Sequence, residues 1–276
     1  LLLARLNEIN VERVPGANAN KDKAGEFNGK LSRMISRLEN KISDRRLGFL
    51  FQGGADVLQF DYLNRLADSL LGSSDENGKG GVKIIDFSEV PSDVLPLIVS
   101  LVARLSFSIQ QWTPLEKRHP IALMCDEAHL YIPNRNLADS ADEISIKIFE
   151  RIAKEGRKYG LSLVVISQRP SEVNKTILSQ CSNFVAMRLT NSDDQAVIKK
   201  LLPDSLGSFS DILPTLDTGE ALVVGDASLL PSRIRIDEPV NKPNSGTIEF
   251  WQEWQSDVDS TRLSTAVDNW RKQKVG

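Results

Sequence analysis

The stretch Ile121-Ala-Leu-Met-Cys-Asp-Glu-Ala-His129 carries five apolar residues straight into two adjacent acids, Asp126 and Glu127. A short apolar run of this kind reads as a buried β-strand, and its carboxyl end delivers the acids. The chain around it repeats the pattern. VKIIDFS (Val82–Ser88), LSLVVISQ (Leu161–Gln168), NFVAMRL (Asn183–Leu189), GEALVVGDAS (Gly219–Ser228) and SRIRID (Ser232–Asp237) read as further strands. Helical segments lie between them. One is capped by Ser92 and carries Val94, Leu95, Ile98, Leu101, Val102 and Leu105; others run through Ile148, Ile152 and Tyr159, around Val173–Leu178, and from Ser192 to Leu202. Short apolar strands alternating with helices predict an α/β fold, a mostly parallel sheet covered by helices on both faces.

Composition narrows the class. The chain has 276 residues, 41% of them hydrophobic and 26% charged, with 34 Lys+Arg against 37 Asp+Glu, a formal charge of -3. These values exclude disorder, collagen and a disulfide scaffold. The longest apolar stretch, Val94–Ile109, is interrupted by Pro96 and Arg104, short of the roughly 18 residues a membrane span requires. The two cysteines, Cys125 and Cys181, form no metal or redox spacing, which fits a reducing, cytoplasmic setting. The chain opens on LLLARLNEIN with neither an initiator Met nor a signal-peptide pattern, the expected look of a C-terminal fragment.

Three regions are expected: a mainly helical segment at 1–75, an α/β core at 76–237 and a tail at 238–276. In the first, Leu31, Met34, Ile35, Leu38 and Ile42 make one amphipathic stripe, Val14–Gly29 reads as a loop, LGFLF (Leu47–Phe51) as a strand, and Leu63, Leu66 and Leu70 mark a helix ending near Gly72. Ten basic residues against six acids in residues 1–50 read as a solvated helical face. The tail holds Trp251, Trp254 and Trp270, large aromatics suited either to an interface or to packing on the parent domain.

In open α/β sheets, ligands sit outside the carboxyl ends of the strands. Adjacent carboxylates there suit a site where one acid holds Mg²⁺ and the other polarises an attacking water beside phosphates; the plainer alternative is that they cap the next turn. LSLVVIS ends in Gln168, a neutral amide able to bond a phosphate or the attacking water without adding charge. Arg157, in EGRKYG, precedes that strand and falls at the opposite edge of the sheet. There it suits a neighbouring molecule's site, as a guanidinium stabilising transition-state charge, or, more simply, complements a helix C-terminus together with Lys158.

Taken together, IALMCDEAHLYIP, EGRKYGLSLVVISQRPSEVNKTILSQCSNFVAMRLTNSDDQ and GEALVVG resemble the C-terminal half of HerA-type ATPases, over about residues 80–240. The resemblance implies a RecA-like P-loop NTPase core from a homo-hexameric ring around double-stranded DNA, with ATP and Mg²⁺ as cofactors. It matches Asp126 and Glu127 to the Walker B acids, with Asp126 on Mg²⁺ through water, Gln168 to the polar sensor, and Arg157 to an arginine finger acting in trans, with Arg151 the weaker candidate. It further implies a partner, either a nuclease of the NurA type or a defence effector such as a sirtuin-like NAD hydrolase. The pattern departs in one place. No G-x-x-x-x-G-K-[ST] occurs: in GSSDENGKGG (Gly72–Gly81) five residues separate Gly72 from Gly78, and Gly80 stands where the Mg²⁺-binding hydroxyl belongs. The expectation is therefore a core without its Walker A loop, inactive alone. A charge of -3 offers no global footprint for nucleic acid, which leaves Arg135 and Lys175 as candidate DNA-facing loop residues. Two other classes compete: a scaffold ATPase that assembles and switches an effector, and a superfamily 2 helicase read from DEAH, disfavoured because SQRP replaces a Ser-Ala-Thr motif. A metal hydrolase on Asp126, Glu127 and His129 is disfavoured because consecutive strand residues alternate faces.

Overall fold

The computed structural model describes residues 2–15, 22–51, 54–72, 81–201, 211–228, 230–241, 248, 250–257 and 260–272. The Gly-rich near-miss to a phosphate loop, at 73–80, lies outside the described residues. In chain order the elements are α1 (Leu2–Asn10), β1 (Arg13–Val14), β2 (Lys23–Ala24), α2 (Ser32–Ser43), α3 (Gly48–Phe51) and α4 (Tyr62–Leu71). There follow α5 (Leu95–Trp112), β3 (Ile121–Cys125), α6 (Ser140–Glu155), β4 (Leu161–Val165), α7 (Lys175–Leu178), β5 (Asn183–Ala186), α8 (Ser192–Leu201), β6 (Glu220–Gly225) and β7 (Ser232–Arg235). The tail adds α9 (Phe250–Glu253) and α10 (Arg262–Lys272). No helix among the described residues is long and apolar enough to cross a membrane.

The chain divides into two compact units, Leu1–Leu63 with Ser88–Val90 and Phe250–Gly276, and Asn64–Phe87 with Pro91–Glu249. In the first, α1 packs on α2. Asn10 ties them, its Oδ1 accepting from Leu31 N at 2.9 Å and its Nδ2 donating to Ser32 Oγ at 3.1 Å. LGFLF, expected as a strand, is a helical turn there. Five apolar residues carry too little periodicity to separate the two conformations, and no strand among the described residues stands beside it.

The second unit holds the α/β core. Its centre is the contact of α5 with α6, where Ala103, Phe107, Ile146, Phe149 and Ile152 are all at most 1% exposed. Burying a side chain such as Phe149 contributes about 2–3 kcal/mol, which explains why these helices hold their register. α6 starts on a capping box: Asp139 Oδ1 accepts from Ala141 N and Asp142 N, and Asp142 answers by accepting from Asp139 N. α5 differs from expectation at its start. Its N-cap is Val94, not Ser92, with no side-chain cap, and Pro91 O accepts the N–H groups of Val94 and Leu95. Ser100 and Ser106, buried on the apolar side of α5, donate back to Leu97 O and Val102 O and so cost little.

The sheet is smaller and less parallel than the sequence pattern predicts. β3 and β4 pair in parallel, from Ile121↔Leu161 to Cys125↔Val165, whereas β5–β6 and β6–β7 are antiparallel. The link from β6 to β7 is only 226–231, and a parallel pairing needs a crossover of a dozen residues or more. The antiparallel sheet covers a second core of Ala186, Ile198, Leu213, Leu216, Leu222 and Val224. VKIIDFS is not a strand: residues 82–87 have no regular structure, and Val82 and Ile84 are 85% and 88% exposed. An apolar segment becomes a strand only where another strand takes up its N–H and C=O groups, and none among the described residues does so.

Candidate functional site at the carboxyl edge of β3 and β4

Because Cys125 pairs with Val165, β3 and β4 end level. The ladder runs one step further, with Ile166 N donating to Cys125 O at 2.9 Å and Ala128 N to Ile166 O at 3.0 Å. The residues leaving both strands are thereby brought together. Glu127 turns sharply here, with φ 45 and ψ 45, and is the one non-glycine residue of positive φ among the described residues. An L-residue in that region costs about 1–2 kcal/mol. Local bonds hold the turn: Asp126 Oδ1 accepts from Glu127 N at 3.0 Å, and the Tyr131 hydroxyl donates to Asp126 O at 2.7 Å.

The turn places the Glu127 carboxylate against the end of β4. Gln168 Nε2 donates to Glu127 Oε1 at 2.7 Å. Glu127 Oε2 is buried and receives no hydrogen bond; the nearest ring nitrogen, His129 Nδ1, is 3.4 Å away. His129 Nδ1 also lies 3.2 Å from Ser167 Oγ, which accepts from Arg169 N at 3.1 Å. Asp126 is exposed beside this cluster. Below it the two outgoing loops are stitched together by Asn134 N to Glu172 O at 2.6 Å and Asn174 N to Ile132 O at 3.0 Å, and buried Asp194 accepts from Ser171 N at 2.9 Å. Burial pushes the Cys125 thiol up to about 11, so at neutral pH it is an un-ionised core residue and not a nucleophile. Burial, with Cys125, Asp126 and Glu127 nearby, likewise raises Tyr131 and keeps its hydroxyl a donor.

The sequence-based candidates separate into groups. Asp126, Glu127 and Gln168 come together. Arg157 sits in the turn Gly156–Tyr159 ahead of β4, about 17 Å from the other edge at about 3.3 Å per residue. It is exposed and forms no ion pair or side-chain hydrogen bond among the described residues. Its turn is held from several sides: Tyr159 meets Phe107 edge-on at 5.4 Å, Arg118 lies over Tyr159 at 5.7 Å, and Gln110 Nε2 donates to Gly160 O at 3.2 Å and His119 O at 2.7 Å. Gly160, with φ 71, closes it. Arg151 lies over the Phe107 ring at 4.5 Å, with Nε 3.4 Å from Glu155. Arg135 binds Glu143 and Glu150, each at 3.0 Å, and those carboxylates, Glu150 foremost, raise its affinity for its proton. Lys175 is exposed at the first turn of α7, next to the cap in which Asn174 Oδ1 accepts from Ile177 N.

Sequence reasoning missed His129 and Ser167 as members of the cluster, and missed Tyr131. The signal was present in the two runs, IALMC and LSLVV: in register, they bring the residues after Cys125 beside those after Val165. Among the described residues no group of three or more His, Cys, Asp or Glu side chains is arranged to hold a metal ion.

A parallel strand pair that ends level, with an acid from one strand meeting an amide from the next, makes an α/β sheet edge of the kind where ligands bind. The fold is shared with solved VirB4 of Thermoanaerobacter pseudethanolicus, at TM-score 0.50 and 18% identity over 78% of this chain and 51% of that one. In sequence the chain resembles HerA-type ATPases. It is 27% identical over 195 residues to the DNA double-strand break repair helicase HerA of Sulfolobus acidocaldarius, covering 69% of this chain and 38% of that protein. The protein of the same name from Pyrococcus furiosus is 38% identical over 118 residues, 43% of this chain and 20% of that one. The chain thus spans well under half the length of these curated relatives. No protein-family model matches it.

Proposed function

We propose that this chain is the C-terminal part of an ATP-dependent, ring-forming DNA translocase or helicase resembling HerA. The observation that carries the reading is the 2.7 Å contact between Glu127 and Gln168 at the carboxyl edge of the parallel pair. A carboxylate whose bond to a neutral amide is exchangeable suits a general base held until phosphate arrives. Glu127 orients the attacking water and takes its proton; Gln168 moves its amide to the terminal phosphate and releases the carboxylate. Mg²⁺ takes one or two carboxylates and completes its shell with water and phosphate oxygens, and exposed Asp126 beside Glu127 fits that demand. Asp126 would hold the ion through water, and the ion would supply positive charge to offset that of the phosphates. The phosphate-cradling loop belongs to another part of the complete protein, and residues 1–276 alone are expected to be inactive.

Arg157, exposed on a braced turn at the opposite edge, acts on the nucleotide of the adjacent subunit in a hexamer. Lys175 is available to a DNA phosphate; Arg135 serves there only by exchanging Glu143 and Glu150 for the nucleic acid. A nuclease or a defence effector would use the motion or the ring. The test is steady-state ATP turnover of the complete protein with and without double-stranded DNA, for wild type and Glu127→Gln. DNA-stimulated turnover falling about 100-fold or more in Glu127→Gln is expected. Turnover indifferent to DNA, with partner activation kept in Glu127→Gln, would replace the motor by a scaffold that assembles and switches an effector.

A further inference from the structure

We infer that His129 is a positioning residue for the Glu127 carboxylate, working through its Nδ1, which faces both Glu127 Oε2 and Ser167 Oγ. The inference rests on the reading of Glu127 as the base and adds what fixes that base once Gln168 has left it.

Three observations meet at this point. Glu127 holds a left-handed backbone conformation, which orients its side chain at a cost. Its Oε2 is buried and accepts no hydrogen bond from a protein group, and a buried acceptor of this kind is exceptional in native structures. The donor within reach is His129 Nδ1, 3.4 Å from Oε2, on a side chain only 16% exposed. Closing that gap by a few tenths of an ångström makes a charge-assisted hydrogen bond.

Nδ1 has a second neighbour, the Ser167 hydroxyl oxygen at 3.2 Å. A neutral imidazole carries its hydrogen on one nitrogen only. With the hydrogen on Nε2, Nδ1 accepts from the Ser167 hydroxyl, and Gln168 alone holds Glu127. With the hydrogen on Nδ1, the ring donates to Oε2 and the carboxylate is fixed from that side. No net proton is gained or lost between these arrangements. Ser167 and Gln168 are adjacent on the segment leaving β4, and Ser167 is pinned by Arg169 N. A displacement of Gln168 toward phosphate therefore also shifts the neighbour that competes for Nδ1. Oε1 is freed to face the water while Oε2 gains its donor. His129 touches neither water nor phosphate in this scheme and acts only by fixing Glu127.

Three substitutions separate this role from simple core filling. His129→Asn places an amide N–H where Nδ1 stands, His129→Gln places one where Nε2 stands, and His129→Ala removes both. In the complete protein, kcat for ATP is expected to fall about 10-fold or more in His129→Ala, since small misplacements of a catalytic group are costly, while KM stays within about 2-fold. His129→Asn is expected to recover most of the loss and His129→Gln little of it. Melting temperature and affinity for a non-hydrolysable ATP analogue show whether each variant is folded; if His129→Ala is not, the Asn and Gln pair carries the test. Equal activity of Asn and Gln variants, or a loss expressed in KM and melting temperature alone, overturns the inference. Wild-type turnover in Glu127→Gln would instead defeat the reading of Glu127 itself, and the role of His129 with it.

Discussion

At the carboxyl end of the β3–β4 pair, the Glu127 carboxylate meets the Gln168 amide at 2.7 Å and His129 lies 3.4 Å from its second oxygen. At the amino end, Arg157 stands exposed without an ion pair among the described residues, on a turn braced by Phe107, Gln110 and Arg118. One end gathers groups that restrain one another within a single chain. The other keeps a backbone braced while its cation has no partner among the described residues. Arg135 and Arg151 show arginines engaged within their own chain: the first binds two carboxylates, and the second covers an aromatic face. Arg157 does neither, as expected of a cation whose partner lies on a second subunit.

The contrast is broken most severely at Arg157. Arg157→Ala in the complete protein is expected to lower kcat by about 1,000-fold, as removal of a finger that stabilises transition-state charge does. Its melting temperature should barely change, because surface substitutions without internal contacts stay within about 0.5 kcal/mol. A large loss of stability would show that the residue belongs to the fold. A smaller effect sharpens the comparison. Gln110→Leu removes both hydrogen bonds from the buried amide, to Gly160 O and His119 O. Gly160 O keeps the bond from Ile121 N, so the loss falls on His119 O, and leaving that carbonyl without its donor costs about 1–3 kcal/mol. Thermal melts should record that cost, and turnover should fall with it by less than in Arg157→Ala, because the turn loosens but keeps its guanidinium.

Much of this arrangement was legible in the sequence. IALMC and LSLVV are short, apolar and followed by polar residues, so the emergence of Glu127 and Gln168 at one edge followed from periodicity and the parallel pairing. The helices were equally readable where the apolar stripe was long, as in α2, α5 and α6. What failed depended on partners. VKIIDFS and LGFLF have the composition of strands, but a strand exists only where another chain segment takes up its backbone groups. The antiparallel pairing of β5 with β6 was missed because α8 stands between them as a crossover helix would, whereas the short link 226–231, read as a turn at Pro231, already marked β6 and β7 as an antiparallel pair. His129 and Ser167 escaped because alternation along one strand was considered without its register against the next. The left-handed turn at Glu127, which overrides that alternation, leaves no mark in residue type.

The central claim is that the two ends of β3–β4 serve different active sites, one in the chain's own subunit and one in its neighbour. Its most direct test is ATP turnover by rings mixed from Glu127→Gln subunits, which keep the finger, and Arg157→Ala subunits, which keep the base. Each variant alone should be inactive, and the mixture should regain turnover wherever an intact base faces an intact finger across a subunit boundary. A mixture no more active than the sum of its two components would contradict the account and return Arg157 to the surface of its own fold.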